Sequence, residues 1–328
     1  MTLAKTDQGT SRALGFAAGT HVDLRVASIF VTAPDGLTLH VRSYGSRVGS
    51  ALPVVCLPGL ARTSADFHAL AATLATDPAK PRLVLAIDYR GHGQSEYDRN
   101  PDNYTLPVAL ADLSAVLTAL EIAPAIFFGT SYGGLLAMML AVWRPTAIGG
   151  VILNDIGPVI EPQGWVRIKG YLGKLPVPRN FEEGAEILRW WFHAQFPKLT
   201  PQDWIAFAQR TWREHRGRLV PDYDLKLART LQRADLQHLP TLWDQFDALA
   251  RVPLMIIRGA NSDMLASTTL QAMLSRRSEL DVAVVPDQGH APLLAEPKLI
   301  RRIAAFVASC DVSAGQRRGN GWRESPGA

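Results

Sequence analysis

Ser131 is the residue in this chain whose surroundings point most directly to chemistry. It lies at the centre of the segment 129–133 (GTSYG), in which a glycine stands two positions away on either side. The apolar run 125–128 before it is typical of a buried strand, and the run 135–141 after it is rich in helix formers. A strand that turns directly into a helix at G-x-S-x-G strains the serine backbone and holds the hydroxyl clear of the sheet. The segment therefore predicts a nucleophilic serine.

A serine nucleophile needs a base, and the base needs a group that orients it. His290 follows the predicted strand 282–285, and Asp263 follows the predicted strand 253–257. Both side chains thus leave strands at the same edge of the predicted sheet as Ser131, where residues distant in sequence converge. We expect His290 to be the base and Asp263 to be the orienting acid.

Two other residues compete for these roles. Asp155 comes just after the predicted strand 148–153 and is the alternative acid. His92 also follows a strand and is the alternative base, although the glycines on either side of it favour a role in a turn.

The elements that must position these groups alternate along the chain between strands and helices. Continuous apolar runs at 53–57 and 83–87 are typical of central parallel strands covered on both faces. Helical patterns at 65–75 and 106–120 separate the strands, and the segment 26–41 reads as a hairpin. This alternation predicts an α/β fold with a mostly parallel, doubly wound sheet.

With these motifs in place, the chain resembles the α/β-hydrolases, and specifically those with a cap domain, over about residues 25–308. In that family the G-x-S-x-G turn is the nucleophile elbow. Three further segments match the family's motifs, namely 56–60 (CLPGL), 88–95 (DYRGHGQS) and 289–292 (GHAP).

The resemblance implies an oxyanion hole formed by the backbone N–H groups of Leu60 and Tyr132. Pro58 stands where many members have histidine. Because the donor is the backbone of Leu60, this departure leaves the expected hole intact.

The resemblance also implies a helical cap at 157–239, inserted into a hydrolase core at 21–156 and 240–310. The sequence itself predicts a flexible arm at 1–20 and, from its polar composition, a disordered tail at 311–328. Helical patterns in the cap lie around 181–196, 201–216 and 222–231. The cap is rich in aromatic residues, of which most are expected to form its own core and some to face the cleft: Trp165, Trp190, Trp191, Phe192, Trp204, Phe207 and Trp212.

Composition sets further expectations. The chain has 328 residues, of which 47% are hydrophobic, enough for a substantial core. Its two cysteines, Cys56 and Cys310, are not expected to form a disulfide, which fits a reducing compartment. We find no secretory signal pattern and no apolar run long enough to cross a membrane, so a cytoplasmic location is expected. No zinc-like spacing of cysteine and histidine is present, and no metal is expected.

The formal net charge is +4. Arginines are concentrated in the middle of the chain, at positions 167, 179, 189, 210, 213, 216 and 218. Such a concentration is typical of a solvated helical surface, and the alternative is steering of anionic substrates. Nucleic-acid binding is not expected because no recognition motif accompanies the charge.

The chemistry expected from these residues is two-step acyl transfer on a small-molecule carboxylic ester or lactone, without a cofactor. Alternatives within enzymes are hydrolysis of a carbon–carbon bond in a dicarbonyl compound and hydrolysis of an amide or peptide end. An alternative of another class is a small-molecule receptor that barely turns over. A serine nucleophile, where dehalogenases and epoxide hydrolases of this fold carry aspartate, argues against both of those activities. The oligomeric state is not predicted.

Overall fold

The computed structural model describes residues 24–232 and 240–319. The predicted arm at 1–20 and the last residues of the predicted tail, 320–328, lie outside the described residues. Ten strands occur in the described part, in chain order β1 (Val26–Thr32), β2 (Thr38–Tyr44), β3 (Val54–Leu57), β4 (Val84–Ile87), β5 (Ala125–Thr130), β6 (Ile148–Asn154), β7 (Trp212–His215), β8 (Arg218–Pro221), β9 (Leu254–Gly259) and β10 (Asp281–Val285).

Eight of these strands form one sheet, in the order β1-β2-β4-β3-β5-β6-β9-β10. The strands from β4 to β10 in that order are parallel, whereas β1 and β2 pair antiparallel with their neighbours. The mostly parallel sheet predicted from the apolar runs is therefore confirmed. The expected hairpin is also present, as β1 and β2 joined by the turn at Gly36, where φ is +91°.

Ten α-helices occur in the described residues, and those between the parallel strands provide the crossovers that such strands require. They are α1 (His68–Ala75), α2 (Leu106–Ala119), α3 (Tyr132–Trp143), α4 (Pro162–Tyr171), α5 (Phe181–Phe192), α6 (Pro201–Gln209), α7 (Leu227–Gln232), α8 (Trp243–Asp247), α9 (Ser267–Arg276) and α10 (Pro297–Gly319).

The core lies on both faces of the sheet. Neighbouring strand residues point to opposite faces, so Phe127 packs in one hydrophobic cluster and Phe128 in the other. All residues of β3, β4 and β6 are buried. This burial on both faces explains why the central strands are apolar without alternation.

The segment 157–239, called here the insertion, leaves the sheet after β6 and returns before β9. Its described part, as far as residue 232, contributes four helices and no strand to the main sheet. Local sequence starts two of these helices. Asn180 caps α5, and Thr200 and Asp203 form a capping box at the start of α6. The insertion has its own hydrophobic cluster, which includes Trp204 and Trp212.

The predicted helix 201–216 is wrong in its second half. Helix α6 ends at Gln209, and β7 and β8 follow as an antiparallel hairpin. Arg216 and Gly217 both have positive φ, 51° and 71°, which suits the tight turn between two paired strands.

The core also extends beyond the predicted boundary at residue 310. Helix α10 continues from Pro297 to Gly319, so residues 311–319 of the predicted disordered tail are helical. Asp311 accepts hydrogen bonds from the backbone N–H of Leu52 and from the Arg82 guanidinium. These polar contacts hold the helix against the segments that lead into β3 and β4.

Candidate active site

Ser131 lies in the turn between β5 and α3, with φ of 51° and ψ of −112°. This is a strained conformation for a residue with a side chain. The flanking glycines are required sterically, because a Cβ at Gly129 would overlap the backbone of Gly133, and a Cβ at Gly133 would overlap the carbonyl of Leu57. The turn predicted around Ser131 is thus the turn that the structure contains.

His290 lies beside Ser131. Its Nε2 is 2.8 Å from the Ser131 Oγ, and only 6% of its side chain is exposed. It lies on the loop after β10, as the strand pattern predicted. The imidazole is therefore within hydrogen-bonding distance of the hydroxyl whose proton a general base would accept.

Asp155 is the acid in contact with His290, and the expectation that Asp263 has this position is wrong. The Asp155 Oδ2 is 2.8 Å from the His290 Nδ1. Asp155 is fully buried, directly after β6, and has a positive φ of 57°, which aspartate tolerates better than most residues. The alternative acid identified from the sequence thus completes a hydrogen-bonded series of Ser131, His290 and Asp155.

The loop after β9 still contributes to this arrangement, although through other residues. Asp155 accepts hydrogen bonds from the backbone N–H of Gly259, at 2.7 Å, and from the Ser262 hydroxyl, at 2.6 Å. These donors fix the buried carboxylate so that its second oxygen meets the imidazole on one side and the hydroxyl on the other.

Asp263 is instead engaged by the insertion. Its two carboxylate oxygens accept hydrogen bonds from Nε and a terminal nitrogen of Arg167, at 2.6 and 2.9 Å. This bidentate pair joins the loop after β9 to α4. Because both of its oxygens are occupied by Arg167, Asp263 has a connecting role between the two parts of the chain.

The loop between β3 and α1 faces Ser131. Gly59, Leu60 and Ala61 line the same cavity as Ser131, and Ala61 has a positive φ of 59°. The Tyr89 hydroxyl donates to the carbonyl of Pro58 at 3.0 Å, which holds the start of the loop.

His92 holds the other end of this loop. Its Nε2 is 3.2 Å from the backbone N of Ala61, and its Nδ1 is 3.0 Å from the carbonyl oxygen of Arg90. The carbonyl can only accept, so Nδ1 carries the proton and Nε2 accepts from Ala61. Burial lowers the pKa of His92, which favours this neutral form. His92, the alternative base suggested by the sequence, therefore supports the Leu60 loop.

Tyr132, the other predicted oxyanion donor, is the first residue of α3. The first N–H groups of a helix have no intrahelical acceptor, and they lie at the positive end of the helix dipole. The N–H of Tyr132 therefore belongs to a set of donors that can meet a negative charge formed next to Ser131.

Gln195 of the insertion contacts the catalytic candidate His290, and it was not predicted from the sequence. Its Oε1 accepts a hydrogen bond from the backbone N–H of His290 at 2.9 Å. Gly289 is required here, because a Cβ at this position would overlap the Gln195 side chain. No local pattern marks Gln195, since its importance comes only from tertiary packing.

Ser131 and His290 open into a cavity of about 120 Å³ between the core and the insertion. Its walls are largely apolar, and the insertion supplies Ile168, Tyr171, Leu175, Leu188, Phe192, Phe196, Phe207 and Tyr223. A polar corner is formed by Arg62, Asp66, Arg210 and Thr211. A mostly apolar pocket with a few polar groups is typical of a small-molecule site.

The aromatic residues of the insertion lie in its hydrophobic core, in the wall of the cavity or at the surface. Trp204 and Trp212 are buried in its own core, while Phe192 and Phe207 line the cavity. Trp190 is 78% exposed and contacts Trp191 edge to face. The expectation that some of these aromatics reach the cleft is therefore confirmed.

Two further features concern the part of the chain that the structure describes. In residues 24–232 and 240–319, no group of three or more His, Cys, Asp and Glu residues is arranged to hold a metal ion. Over the same ranges, none of the helices combines the length and the apolar character that a membrane crossing requires.

Comparison with known proteins agrees with this fold. The sequence profile of the Alpha/beta hydrolase family matches residues 54–303. A 3-hydroxybutyrate-oligomer hydrolase from Cupriavidus necator is 32% identical over 287 residues, which cover 84% of this chain and 95% of that protein. A 2-(acetamidomethylene)succinate hydrolase from Mesorhizobium japonicum is 25% identical over 277 residues, which cover 83% of this chain and 92% of that protein.

Among solved structures, an alpha/beta hydrolase from Novosphingobium aromaticivorans superimposes with a TM-score of 0.80. It is 37% identical in sequence, and the match covers 86% of this chain and 98% of that one.

Proposed function

Since the chain belongs to the alpha/beta hydrolase family, and is a hydrolase, we propose that it is a serine hydrolase that cleaves carboxylic esters through an acyl-enzyme. The observation that carries this proposal is the hydrogen-bonded series Ser131–His290–Asp155, with both distances to the imidazole at 2.8 Å. The three residues have the geometry in which a hydroxyl, a base and an orienting acid act together.

In the first step, the Ser131 Oγ attacks the ester carbonyl carbon, and its proton passes to the His290 Nε2. The buried carboxylate of Asp155 holds the Nδ1 proton and stabilises the imidazolium that forms. Collapse of the tetrahedral intermediate breaks the bond to the leaving oxygen, which takes the proton from His290. The product of this step is an acyl group esterified to Ser131.

The negative charge that forms on the carbonyl oxygen needs donors. We assign this role to the backbone N–H groups of Leu60 and Tyr132, which lie on the loop after β3 and at the start of α3. His92 and Tyr89 fix the Leu60 loop in advance, so its donor does not have to reorganise during the reaction.

In the second step, a water molecule attacks the acyl carbon while His290 accepts a proton from it. Breaking of the bond to the Ser131 Oγ returns that proton to the serine and releases the acid. The same base serves both halves of the cycle.

The insertion is proposed to act as a cap over Ser131. Aromatic and aliphatic side chains from α4, α5 and α6 form one wall of the cavity, and Gln195 and Thr211 hydrogen-bond to His290 and Arg62 on the other side. A wall of this kind excludes water and limits the size of the acyl or alcohol group.

Support for an ester substrate also comes from the 3-hydroxybutyrate-oligomer hydrolase, because such oligomers are joined by ester bonds. We therefore take short hydroxy-acid esters as natural first test substrates, with lactones alongside.

The test compares the wild-type protein with Ser131→Ala and with Ser275→Ala as a matched control. Ser275 is exposed on α9, where its hydroxyl hydrogen-bonds to the carbonyl of Gln271. Turnover of p-nitrophenyl butyrate and of the 3-hydroxybutyrate dimer is measured after circular dichroism has shown that each protein is folded.

We expect Ser131→Ala to lose about 10⁴-fold to 10⁶-fold in kcat, the loss typical of removing a triad nucleophile. Ser275→Ala should retain wild-type turnover. Folded Ser131→Ala protein with near-normal turnover would refute the proposed function.

A further inference from the structure

The polar corner of the cavity contains two guanidinium groups and one carboxylate. Arg62, Asp66 and Arg210 line the cavity together with Ser131 and His290. Because the other walls are largely apolar, the charges in this corner decide which polar groups a bound molecule can present there.

Arg62 and Asp66 neutralise each other. The Arg62 Nε donates to one Asp66 oxygen at 2.7 Å, and a terminal nitrogen donates to the other oxygen. The remaining terminal nitrogen of Arg62 donates to the Thr211 hydroxyl at 2.8 Å. The guanidinium also lies over the ring of Phe207, 5.0 Å from its centroid. Each of the three guanidinium nitrogens of Arg62 therefore has a protein partner.

Arg210 is less closely paired. Its Nε lies 3.4 Å from an Asp66 oxygen that already accepts from Arg62, so its ion pair with Asp66 is long and shared. Only 25% of its side chain is exposed. Burial lowers the pKa of Arg210 and the charge of Arg62 lowers it further, while Asp66 and Asp203 oppose this shift. Two guanidinium groups and one carboxylate line this corner of the cavity, so its charged side chains have a net positive charge.

The position of Arg210 is suited to a ligand that extends out of the cavity. Arg210 and Asp66 also line an open groove on the outer side, together with Arg42 and His68. Because the same two residues border both spaces, they form the boundary between the cavity at Ser131 and the outside.

We propose that Arg210 binds a carboxylate on the substrate, so that the ester cleaved at Ser131 carries a free acid at its other end. This inference rests on the proposed function and narrows it to esters of dicarboxylic acids or of hydroxy acids with a free carboxyl group. A guanidinium offers paired N–H donors that match the two oxygens of a carboxylate. Two cations and one anion in the corner leave a net charge that matches the single negative charge of a carboxylate better than the larger charge of a phosphate monoester.

The experiment compares two esters of the same chain length, monomethyl adipate and methyl hexanoate, by titration of the released acid. The measured quantity is the ratio of kcat/KM for the charged ester to kcat/KM for the neutral ester. The proteins are the wild type, Arg210→Gln, Arg210→Lys, and the control Arg218→Gln. Arg218 lies exposed on β8 and does not line the cavity, so this control changes the net charge equally.

We expect the wild type to prefer monomethyl adipate. Arg210→Gln should lower the ratio by about 10-fold to 100-fold, the range for a charge-assisted hydrogen bond, with the change mainly in KM. Arg210→Lys should retain part of the preference because it keeps the charge. Arg218→Gln should leave the ratio as in the wild type. An unchanged ratio in folded Arg210→Gln protein overturns the inference.

Binding separates this inference from the proposed function. Calorimetric titration of monomethyl adipate into Ser131→Ala and into the double variant Ser131→Ala/Arg210→Gln does not depend on turnover, and we expect the double variant to bind at least tenfold more weakly. Equal binding by the two proteins refutes the carboxylate contact. Turnover of both esters through Ser131, with kcat/KM for monomethyl adipate unaffected by Arg210→Gln, leaves the ester hydrolase standing and refutes the inference. Stronger Arg210-dependent inhibition by inorganic phosphate than by adipate contradicts the choice of a carboxylate.

Discussion

The Asp155 Oδ2 lies 2.8 Å from the His290 Nδ1, although 135 residues separate the two in the chain. The contact is possible because β6 and β10 end at the same edge of the sheet, on either side of β9. Asp155 leaves β6 with a positive φ, and Gly259 and Ser262 at the end of β9 donate to its carboxylate. The strand between the acid and the base thus supplies the groups that hold the acid in place.

The first prediction assigns the orienting acid. Asp155→Asn should lower kcat for p-nitrophenyl butyrate by about 10⁴-fold, because an amide in this position holds the imidazole in the wrong tautomer. Asp263→Asn should affect stability and the position of the insertion, since it weakens only the pair with Arg167. Both variants are assayed on the same ester after thermal unfolding has shown that they are folded. A severe loss in Asp263→Asn beside a mild one in Asp155→Asn would reverse the assignment.

Some residues of the candidate site could be predicted from the sequence, and the orienting acid could not be settled in this way. Ser131 and its turn follow from a local motif whose glycines are needed within a few residues. His290 follows from a strand and the loop after it. The sequence could not show which carboxylate contacts His290. Asp263 is paired instead with Arg167, and this arginine belongs to the insertion. A contact made across separate parts of the chain leaves no local pattern in either part.

The fold also has elements that could be predicted from the sequence and elements that could not. The apolar strands of the sheet were predicted because burial on both faces removes polar residues from them. The hairpin β7–β8 was missed because residues 201–216 begin with a strong helix start, while the turn at Gly217 that ends the pattern is a weaker signal. Gln195 and Arg210 could be identified only after the insertion was placed against the core.

The second prediction concerns the support of the Leu60 loop. His92→Leu removes the acceptor for the Ala61 N–H and should lower kcat by at least about tenfold, a part of the loss caused by deleting an oxyanion donor. KM should change little, because the loop acts on the transition state. His92→Gln restores an acceptor oxygen and should recover part of kcat. Equal changes in kcat and KM, or a Gln variant no better than Leu, would indicate a merely structural role.

The third prediction concerns pH. Burial lowers the pKa of His92 in the folded protein. As the pH falls, the unfolded chain is protonated at this histidine near the usual pKa of about 6.5, whereas the folded protein is protonated only at a lower pH. The free energy of unfolding contributed by His92 is then fully present above that pH and decreases as the pH falls below it, with a limiting slope of about 1.4 kcal/mol per pH unit. Urea unfolding at several pH values between about 7.5 and 5 should show a steeper loss for the wild type than for His92→Gln. Parallel profiles would argue against a buried neutral imidazole.

The fourth prediction concerns the apolar wall of the cavity. Phe207→Ala should increase the relative activity on p-nitrophenyl octanoate over the butyrate, because the ring lines the cavity and its removal leaves more room for the acyl chain. Trp190→Ala is the matched aromatic control, since this residue is 78% exposed and does not line the cavity. The control should keep the wild-type chain-length profile. A shift in the Trp190 variant with none in the Phe207 variant would contradict the position of the cavity.

The reactivity of the Ser131 hydroxyl is the property that the proposed series Ser131–His290–Asp155 must produce. A fluorophosphonate probe bonds to a serine whose hydroxyl is activated by its base, and peptide mass spectrometry gives the modified residue and the rate of labelling. We expect a single label on Ser131, labelling slowed at least about 100-fold in Asp155→Asn, and a near wild-type rate in Asp263→Asn. Folded wild-type protein in which Ser131 stays unlabelled, or in which another serine reacts first, would contradict the proposed nucleophile.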